Sequence, residues 1–281
     1  MNNVESKKIN VLDKGHVILM DYMGSDLDIA EAARTSYSKG TKKLQEDEGL
    51  INYLIKHRHE TPLEMIQFKF HVKLPLFVFA QWVRHRMASY NVASYRYSQV
   101  PEDYYVPSKE RSQTQSLENK QGSSDVESKQ SVEFINRIES VSEDALNDYN
   151  KLVFNSETNP EGISRELCRI SIPQNWYTEF VTSINLRSLF NFLSLRMDSH
   201  AQYEIQEYAK AIYSIVQETH PISIKAFDNH ILNSKTFSSN ELSLIKKAMP
   251  KELLQKCVME ALENNSISKR DSKNLLSIFQ K

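Results

Sequence analysis

Residues 67–74 constrain the fold more than any other stretch. Phe68, Phe70, Val72 and Leu74 alternate with Gln67, Lys69, His71 and Lys73. Successive side chains of a strand point to opposite faces, so this period of two predicts a half-buried antiparallel strand. Pro75 follows at once, and proline suits the first turn of a helix. The run through Phe77, Phe79, Ala80 and Val83 predicts that helix, ending near Ala88. A strand turned directly into a helix, with one polar strand face, suits a sheet covered on one side.

The rest of the chain is mostly helical in pattern. Residues 9–23 read as a strand pair with a turn at Lys14–Gly15, and residues 177–184 as a further strand. Helical periodicity runs over 27–37, with Asp26 as its N-cap, and over 46–57 and 134–154. It returns over 164–172, about 185–197 and 200–218, after Pro221, and twice in the last forty residues. No βαβ alternation is present. The expected class is α+β: a helix-rich single domain with a small, mostly antiparallel sheet. Residues 107–131 are polar and nearly free of large apolar side chains, which predicts a mobile insertion and a candidate lid.

Glycine usage excludes two architectures. Six glycines are present, and neither G-x-G-x-x-G nor G-x-x-x-x-G-K occurs. Any bound nucleotide must be held by side chains and helix ends. Two cysteines, Cys168 and Cys257, suggest neither a zinc cluster nor a disulfide scaffold, and no metal is expected. The N-terminal stretch lacks the apolar core of a secretion signal. The longest apolar run, 74–80, is far short of the roughly 20 residues of a membrane span. A cytoplasmic protein without membrane partners is expected.

Charge is unevenly placed. The net charge is −1, which argues against a general nucleic-acid coat. Yet residues 65–101 contain no acidic residue and carry Lys69, Lys73, Arg84, Arg86 and Arg96. Arg84, His85 and Arg86 are adjacent, and consecutive positions on a helix fan out by about 100° each. They point at different groups of a ligand. Ser89, Asn91, Ser94 and Arg96 then interleave with Tyr95 and Tyr97. Guanidinium forks match phosphate, and hydroxyl and amide groups add donors. Arginine interleaved with tyrosine also fits a base-stacking RNA module, against which the net charge counts.

Two further segments carry unusual polarity. Thr61, Pro62 and Glu64 have the spacing of a capping box, with Thr61 as N-cap. In the segment from Asn185 to His200, Leu186, Leu189, Phe190, Leu193 and Met197 form an apolar face. Arg187, Asn191, Ser194 and Asp198 form a polar stripe, but Phe192 and Leu195 interrupt it, and Arg196 and His200 fall outside it. A helix apolar nearly all round that still holds Arg and Asn is expected to be buried, with its polar groups aimed at a ligand.

These residues resemble a known family. Arg84-His85-Arg86, seven residues and Ser94 is similar to the signature of the flavin-dependent thymidylate synthases. Ser89, Asn91, Ser94 and Arg96 satisfy the fuller form R-H-R-x-x-S-x-N-x-x-S-x-R. The blocks 32–36, 59–64, 81–82, 168–173, 185–189 and 195–204 match in order. The resemblance implies an enzyme making dTMP from dUMP, with methylenetetrahydrofolate as carbon donor and NADPH-reduced FAD as hydride source. It implies a homotetramer with active sites shared between copies. It also implies a catalytic domain over 1–235, with 236–281 a helical extension.

Residue by residue, Ser36, Thr61, Glu64, Arg84, His85, Arg86, Asn91, Asn185, Arg187, Asn191 and His200 resemble cofactor-binding positions. His200 resembles one near the flavin ring and the folate. Gln81, Arg84, Val92, Ala93, Ser94, Tyr95, Arg96, Arg169 and Arg196 resemble dUMP-site positions, with Arg196 set against the pyrimidine as the catalytic residue. Val92 departs from the family's usual glutamate, and Tyr95 from its usual small residue. Cys168 reads as structural.

Overall fold

The structure is a computed structural model that describes residues 7–35, 44–264 and 266–280. The chain divides into two compact units, 1–232 and 233–281. In the first, β1 (Lys8–Val11) and β2 (Gly15–Met23) form a hairpin. Its turn lies at 12–14, one step earlier than expected, with Leu12 at φ 57°. Gly15 already belongs to β2, where space requires glycine. A Cβ there would lie 1.9 Å from the Tyr208 hydroxyl and 2.8 Å from the Lys73 carbonyl oxygen.

Helix α1 spans Asp26–Thr35 and α2 spans Leu44–Lys56. Asp26 does not cap α1. The Asp28 carboxylate instead accepts from the Ser25 N–H and hydroxyl, both at 2.6 Å. Asp26 turns inward and accepts the N–H groups of Ile222 and Ser223 at 2.9 and 3.0 Å, at the start of a distant helix. A 3-10 helix follows at Thr61–Met65. Thr61 is its first residue, not its cap, and no capping box forms. Glu60 occupies the cap position without a side-chain cap bond, because its carboxylate is drawn to Arg187.

Strand β3 (Gln67–Pro75) leads directly into α3 (Leu76–Trp82). Pro75 therefore ends the strand, and α3 stops well before Ala88. The reason is β4 (Ala88–Val92), whose backbone is claimed by a neighbouring strand. Within 107–131 a hairpin forms from β5 (Gln113–Gln115) and β6 (Ser123–Glu127). Then come α4 (Ser131–Leu152) and α5 (Arg165–Cys168), the latter extended by a 3-10 turn at Arg169–Ser171. Strand β7 (Tyr177–Asn185) runs into α6 (Leu186–Arg196), followed by α7 (Tyr203–Thr219) and α8 (Pro221–Phe227).

The main sheet has the order β1-β2-β3-β7-β4, with every neighbouring pair antiparallel. Strands β3 and β7 pair from Gln67↔Asn185 to Pro75↔Tyr177. The expected alternation is present: Phe68, Phe70, Val72 and Leu74 are buried. They pack with Phe180 and Ile184 of β7, Leu189 and Phe192 of α6, and Ile205, Tyr208 and Ile212 of α7. Burial of each such side chain contributes about 1.5–3 kcal/mol. A smaller cluster holds Val100, Tyr149, Val153, Cys168 and Trp176. Burial pushes the Cys168 thiol above its usual pKa, in line with a structural role.

The second unit contains α9 (Ser239–Ala248), α10 (Lys251–Glu263) and α11 (Lys269–Gln280). Periodicity predicts two helices in the last forty residues; three form over 239–280, with Pro250 between the first two. Ser238 and Glu241 close a capping box on α9. Among the described residues, no helix is long and apolar enough to cross a membrane.

Candidate active site

The site begins where β7 becomes α6 without a loop. Asn185 is both the last strand residue and the N-cap, its side chain accepting from the Ser188 N–H at 2.8 Å. Helix α6 buries Leu186, Leu189, Phe190, Phe192 and Leu193. That leaves Arg187, Asn191, Ser194 and Arg196 along a cavity of about 790 Å³. The facing wall is the turn between α3 and β4, which carries Arg84, His85 and Arg86. The turn is short because the His85 N–H bonds back to the Trp82 carbonyl at 3.0 Å and β4 starts at Ala88. Leu63, Ile184 and Phe190 add apolar surface.

Arg196 and His85 meet at the cavity wall. Arg196 Nε donates to His85 Nε2 at 2.9 Å, and Arg196 Nη2 donates to the Gln81 carbonyl at 3.2 Å. An accepting Nε2 makes His85 neutral, with its proton on Nδ1. Burial, and then the Arg196 charge, lower the His85 pKa to about 4. The His85 ring stands edge-on to Phe192 at 4.9 Å, and its carbonyl accepts the Tyr90 hydroxyl at 2.7 Å. Burial also lowers the Arg196 pKa.

The positive charge here is largely uncompensated. Among the described residues, no carboxylate lies within ion-pair distance of Arg84, Arg86 or Arg196. Arg187 differs: its Nε donates to Glu60 at 2.8 Å, with Glu64 at 4.0 Å. The Glu60 hydrogen bond raises its pKa. Ser188 Oγ is buried in the same wall without a hydrogen-bond partner.

The remaining candidates fall elsewhere. Thr61 and Asn91 are exposed and do not line the cavity, and Ser36 lies outside the described residues. His200 is exposed beyond the end of α6, its Nδ1 paired with Asp198 at 2.8 Å. The Gln81 side chain donates to Gln202. Val92 ends β4, and the Ala93 N–H bonds the Glu179 carbonyl at 2.8 Å. The Ser94 carbonyl accepts from the N–H groups of Tyr97 and Ser98. The Tyr95 hydroxyl donates to the Tyr177 carbonyl at 2.7 Å. Arg96 pairs with Glu166 at 3.1 Å, beside a second cavity of about 380 Å³ that Arg165 also lines. Arg169 is exposed and donates to the Glu166 carbonyl at 3.2 Å.

Eight of the candidates thus gather, in two groups rather than one. Arg84, His85, Arg86, Arg187, Asn191 and Arg196 surround the large cavity. Arg96 and Arg169 meet at Glu166. For Arg96, the lack of a nearby carboxylate holds only within the 65–101 segment; Glu166 supplies one from a distant part of the chain. Glu60, Gln202, Arg165 and Glu166 were not singled out in the sequence. Glu60 and Gln202 sit within matched blocks, whereas nothing local marks Glu166.

Residues 18–222 match the family model described as "Thymidylate synthase complementing protein". A flavin-dependent thymidylate synthase of Ehrlichia ruminantium (strain Gardel) is 41% identical over 280 residues, covering 99% of this chain and 90% of that protein. One of Rickettsia prowazekii (strain Madrid E) is 40% identical over 280 residues, covering 97% and 93%. A crystal structure of the UMP/dUMP methylase PolB from Streptomyces cacaoi, bound with 5-Br dUMP, is similar with a TM-score of 0.69 and 28% identity. That match covers 79% of this chain and 97% of the other. With the Arg-His-Arg turn facing α6 across a basic cavity, and with these relatives matched over nearly their whole length, the chain belongs to the flavin-dependent thymidylate synthase family.

Proposed function

We propose that this protein converts dUMP to dTMP, using methylenetetrahydrofolate as carbon donor and NADPH as the reductant of FAD. The observation that carries the reading is the Arg196–His85 pair: a half-buried guanidinium, with no carboxylate partner among the described residues, held by a neutral imidazole.

The cavity residues fit FAD. Its pyrophosphate is anionic, and Arg84 and Arg86 line the cavity as cations without carboxylate partners among the described residues. The buried, unpartnered Ser188 Oγ offers a donor. Leu63, Ile184 and Phe190 offer apolar surface for flat rings. Arg84, Arg86, Arg187 and Asn191 are the residues to hold it, with Glu60 and Glu64 orienting Arg187. Bound FAD, once reduced, supplies the hydride for the reaction.

The protein's own work is electrostatic. Carbon 5 of uracil is a poor nucleophile until negative charge builds on the ring. Arg196 is placed to stabilise that charge as it develops, as a preorganised donor rather than a proton carrier. His85 and the Gln81 carbonyl fix the guanidinium, so little reorganisation is needed when the charge forms. Arg96 and Arg169 are the phosphate cations of dUMP. No protein nucleophile is needed. Cys168 is buried with a raised pKa, and Ser94 has no histidine or carboxylate hydrogen-bonded to its hydroxyl among the described residues.

The separation of Arg96 and Arg169 from the large cavity supports active sites completed between copies of a homotetramer. In this reading residues 1–235 form the catalytic domain, with 107–131 an insertion, and 236–281 a helical extension. The free thiols Cys168 and Cys257 suit a reducing cytoplasm. A flavin titration tests the cofactor assignment. Full-length protein supplied with FAD and desalted is expected to stay yellow, with about one flavin per chain. An Arg84→Ala, Arg86→Ala double variant is expected to lose most of it. Protein that holds no flavin contradicts the assignment.

A further inference from the structure

The insertion at 107–131 is tied to the catalytic unit by one side chain. Arg111, just before β5, donates through Nε to Glu204 at 2.7 Å and through Nη2 to the same carboxylate at 3.3 Å. Glu204 is buried, only 3% of its side chain being exposed, and it also accepts the Tyr105 hydroxyl at 3.2 Å. A buried carboxylate needs such partners, since desolvation disfavours its charge. Arg111 Nη1 reaches back to Ser123 of the hairpin at 2.9 Å. Its guanidinium also lies over the Tyr203 ring, 5.5 Å from the centroid.

Tyr203 and Glu204 are the first two residues of α7, and Gln202 is its N-cap. Arg111 therefore grips both residues that follow Gln202. The Gln202 backbone is fixed further by the bond from the Gln206 N–H at 3.2 Å. From that position the Gln202 side chain accepts from Gln81 Nε2. An exposed amide–amide bond is weak unless its ends are already fixed. Here one end is clamped from the insertion. With one amide N–H committed, Gln81 keeps Oε1, unpartnered among the described residues, to accept from a hydroxyl or N–H of a ligand.

We propose that the insertion is a positioning element for the nucleotide site: Arg111, through Glu204 and the first turn of α7, sets Gln202, and Gln202 orients Gln81 toward dUMP. This rests on the nucleotide-site role proposed for Gln81. Arg111, Glu204 and Gln202 are positioning residues, acting through Gln81. The coupling is a network one, so changes along it should not add.

The test uses FAD-loaded full-length enzyme, with dUMP titrated for Kd and for KM and kcat. Arg111→Gln and Gln202→Ala are each expected to raise the dUMP Kd and KM about fivefold to tenfold. Flavin content and kcat are expected to stay within about twofold, a split that loosened folding alone would not give. Arg111→Lys, which keeps the charge without the fork, is expected to recover part of the affinity. Combined with Gln81→Ala, Arg111→Gln should cost nothing further. If Gln81→Ala weakens dUMP binding but Gln202→Ala and Arg111→Gln do not, the positioning role is overturned and the role of Gln81 stands. If Gln81→Ala leaves dUMP binding unchanged, both are overturned. Additive losses in the double variant would also overturn the shared route. Should Arg111→Gln fold poorly, Gln202→Ala decides alone, since it leaves the buried ion pair intact.

Discussion

Replacing Arg196 with alanine is expected to lower kcat for dUMP methylation about a hundredfold to a thousandfold. The variant should keep its flavin and its fold. The loss is large because Arg196 acts where charge develops, and a donor aimed at such charge counts most in a partly dry site. The structural cost is small. Of its two hydrogen-bond partners, His85 Nε2 and the Gln81 carbonyl, His85 lines an open cavity from which water can replace the guanidinium. Arg196→Lys keeps the charge but not the planar fork, so it should restore only a minor part of the rate. The pH dependence follows from His85, whose pKa is lowered to about 4 from the usual 6.5. Above pH 4 the ring stays neutral and accepts the Arg196 N–H. Below it, an imidazolium cannot accept and repels the guanidinium. The acidic limb assigned to His85 should therefore fall near pH 4, not near 6.5. Stability shifts in the same window: between pH 6.5 and 4 the unfolded chain binds a proton that the folded one refuses. Stability thus falls as pH drops through that range. His16, lowered to about 4 by burial first, adds to the same slope. A kcat within tenfold of the parent in Arg196→Ala would remove Arg196 from the chemistry.

Replacing Arg96 with alanine is expected to weaken dUMP binding about tenfold to a hundredfold, the range of a lost charge-assisted hydrogen bond. At saturating dUMP, kcat should change little. The Arg96–Glu166 pair at 3.1 Å sharpens this expectation. Both side chains are more than half exposed, and exposed ion pairs contribute about 0–1 kcal/mol. A phosphate dianion can displace Glu166 at small cost. Glu166→Gln should therefore leave dUMP binding as tight as the parent's or tighter, moving opposite to Arg96→Ala. Equal dUMP affinity in the parent and Arg96→Ala, measured by titration, would refute the phosphate role.

The parts of the fold that local patterns encode were legible in the sequence. The alternation at 67–74 gave the central strand and its buried face, because period two is set by strand geometry itself. Helix α6 was legible for a similar reason: its apolar residues wrap most of the surface, leaving Arg187, Asn191 and Arg196 conspicuous. Features fixed by distant partners were not legible. The segment 88–92 has no strand signature, and it becomes β4 because β7 offers a free edge. Thr61 has every local mark of a cap, yet Arg187 draws Glu60 into the position instead. Asp26 opens α1, but its carboxylate accepts the first N–H groups of α8, far along the chain. Arg96 seemed unpaired because Glu166 comes from another segment. The polar stretch 107–131 carried no sign of a hairpin, since β5 and β6 bury almost nothing and are held by hydrogen bonds and Arg111.

The most direct measurement is dTMP formation from dUMP by the full-length protein with FAD, NADPH and methylenetetrahydrofolate present, and with each omitted in turn. dTMP is expected in the complete mixture, and none above background when NADPH or methylenetetrahydrofolate is left out, or when FAD is withheld from flavin-stripped protein. No dTMP from the complete mixture with flavin-loaded protein, or undiminished dTMP with any one of them missing, would contradict it.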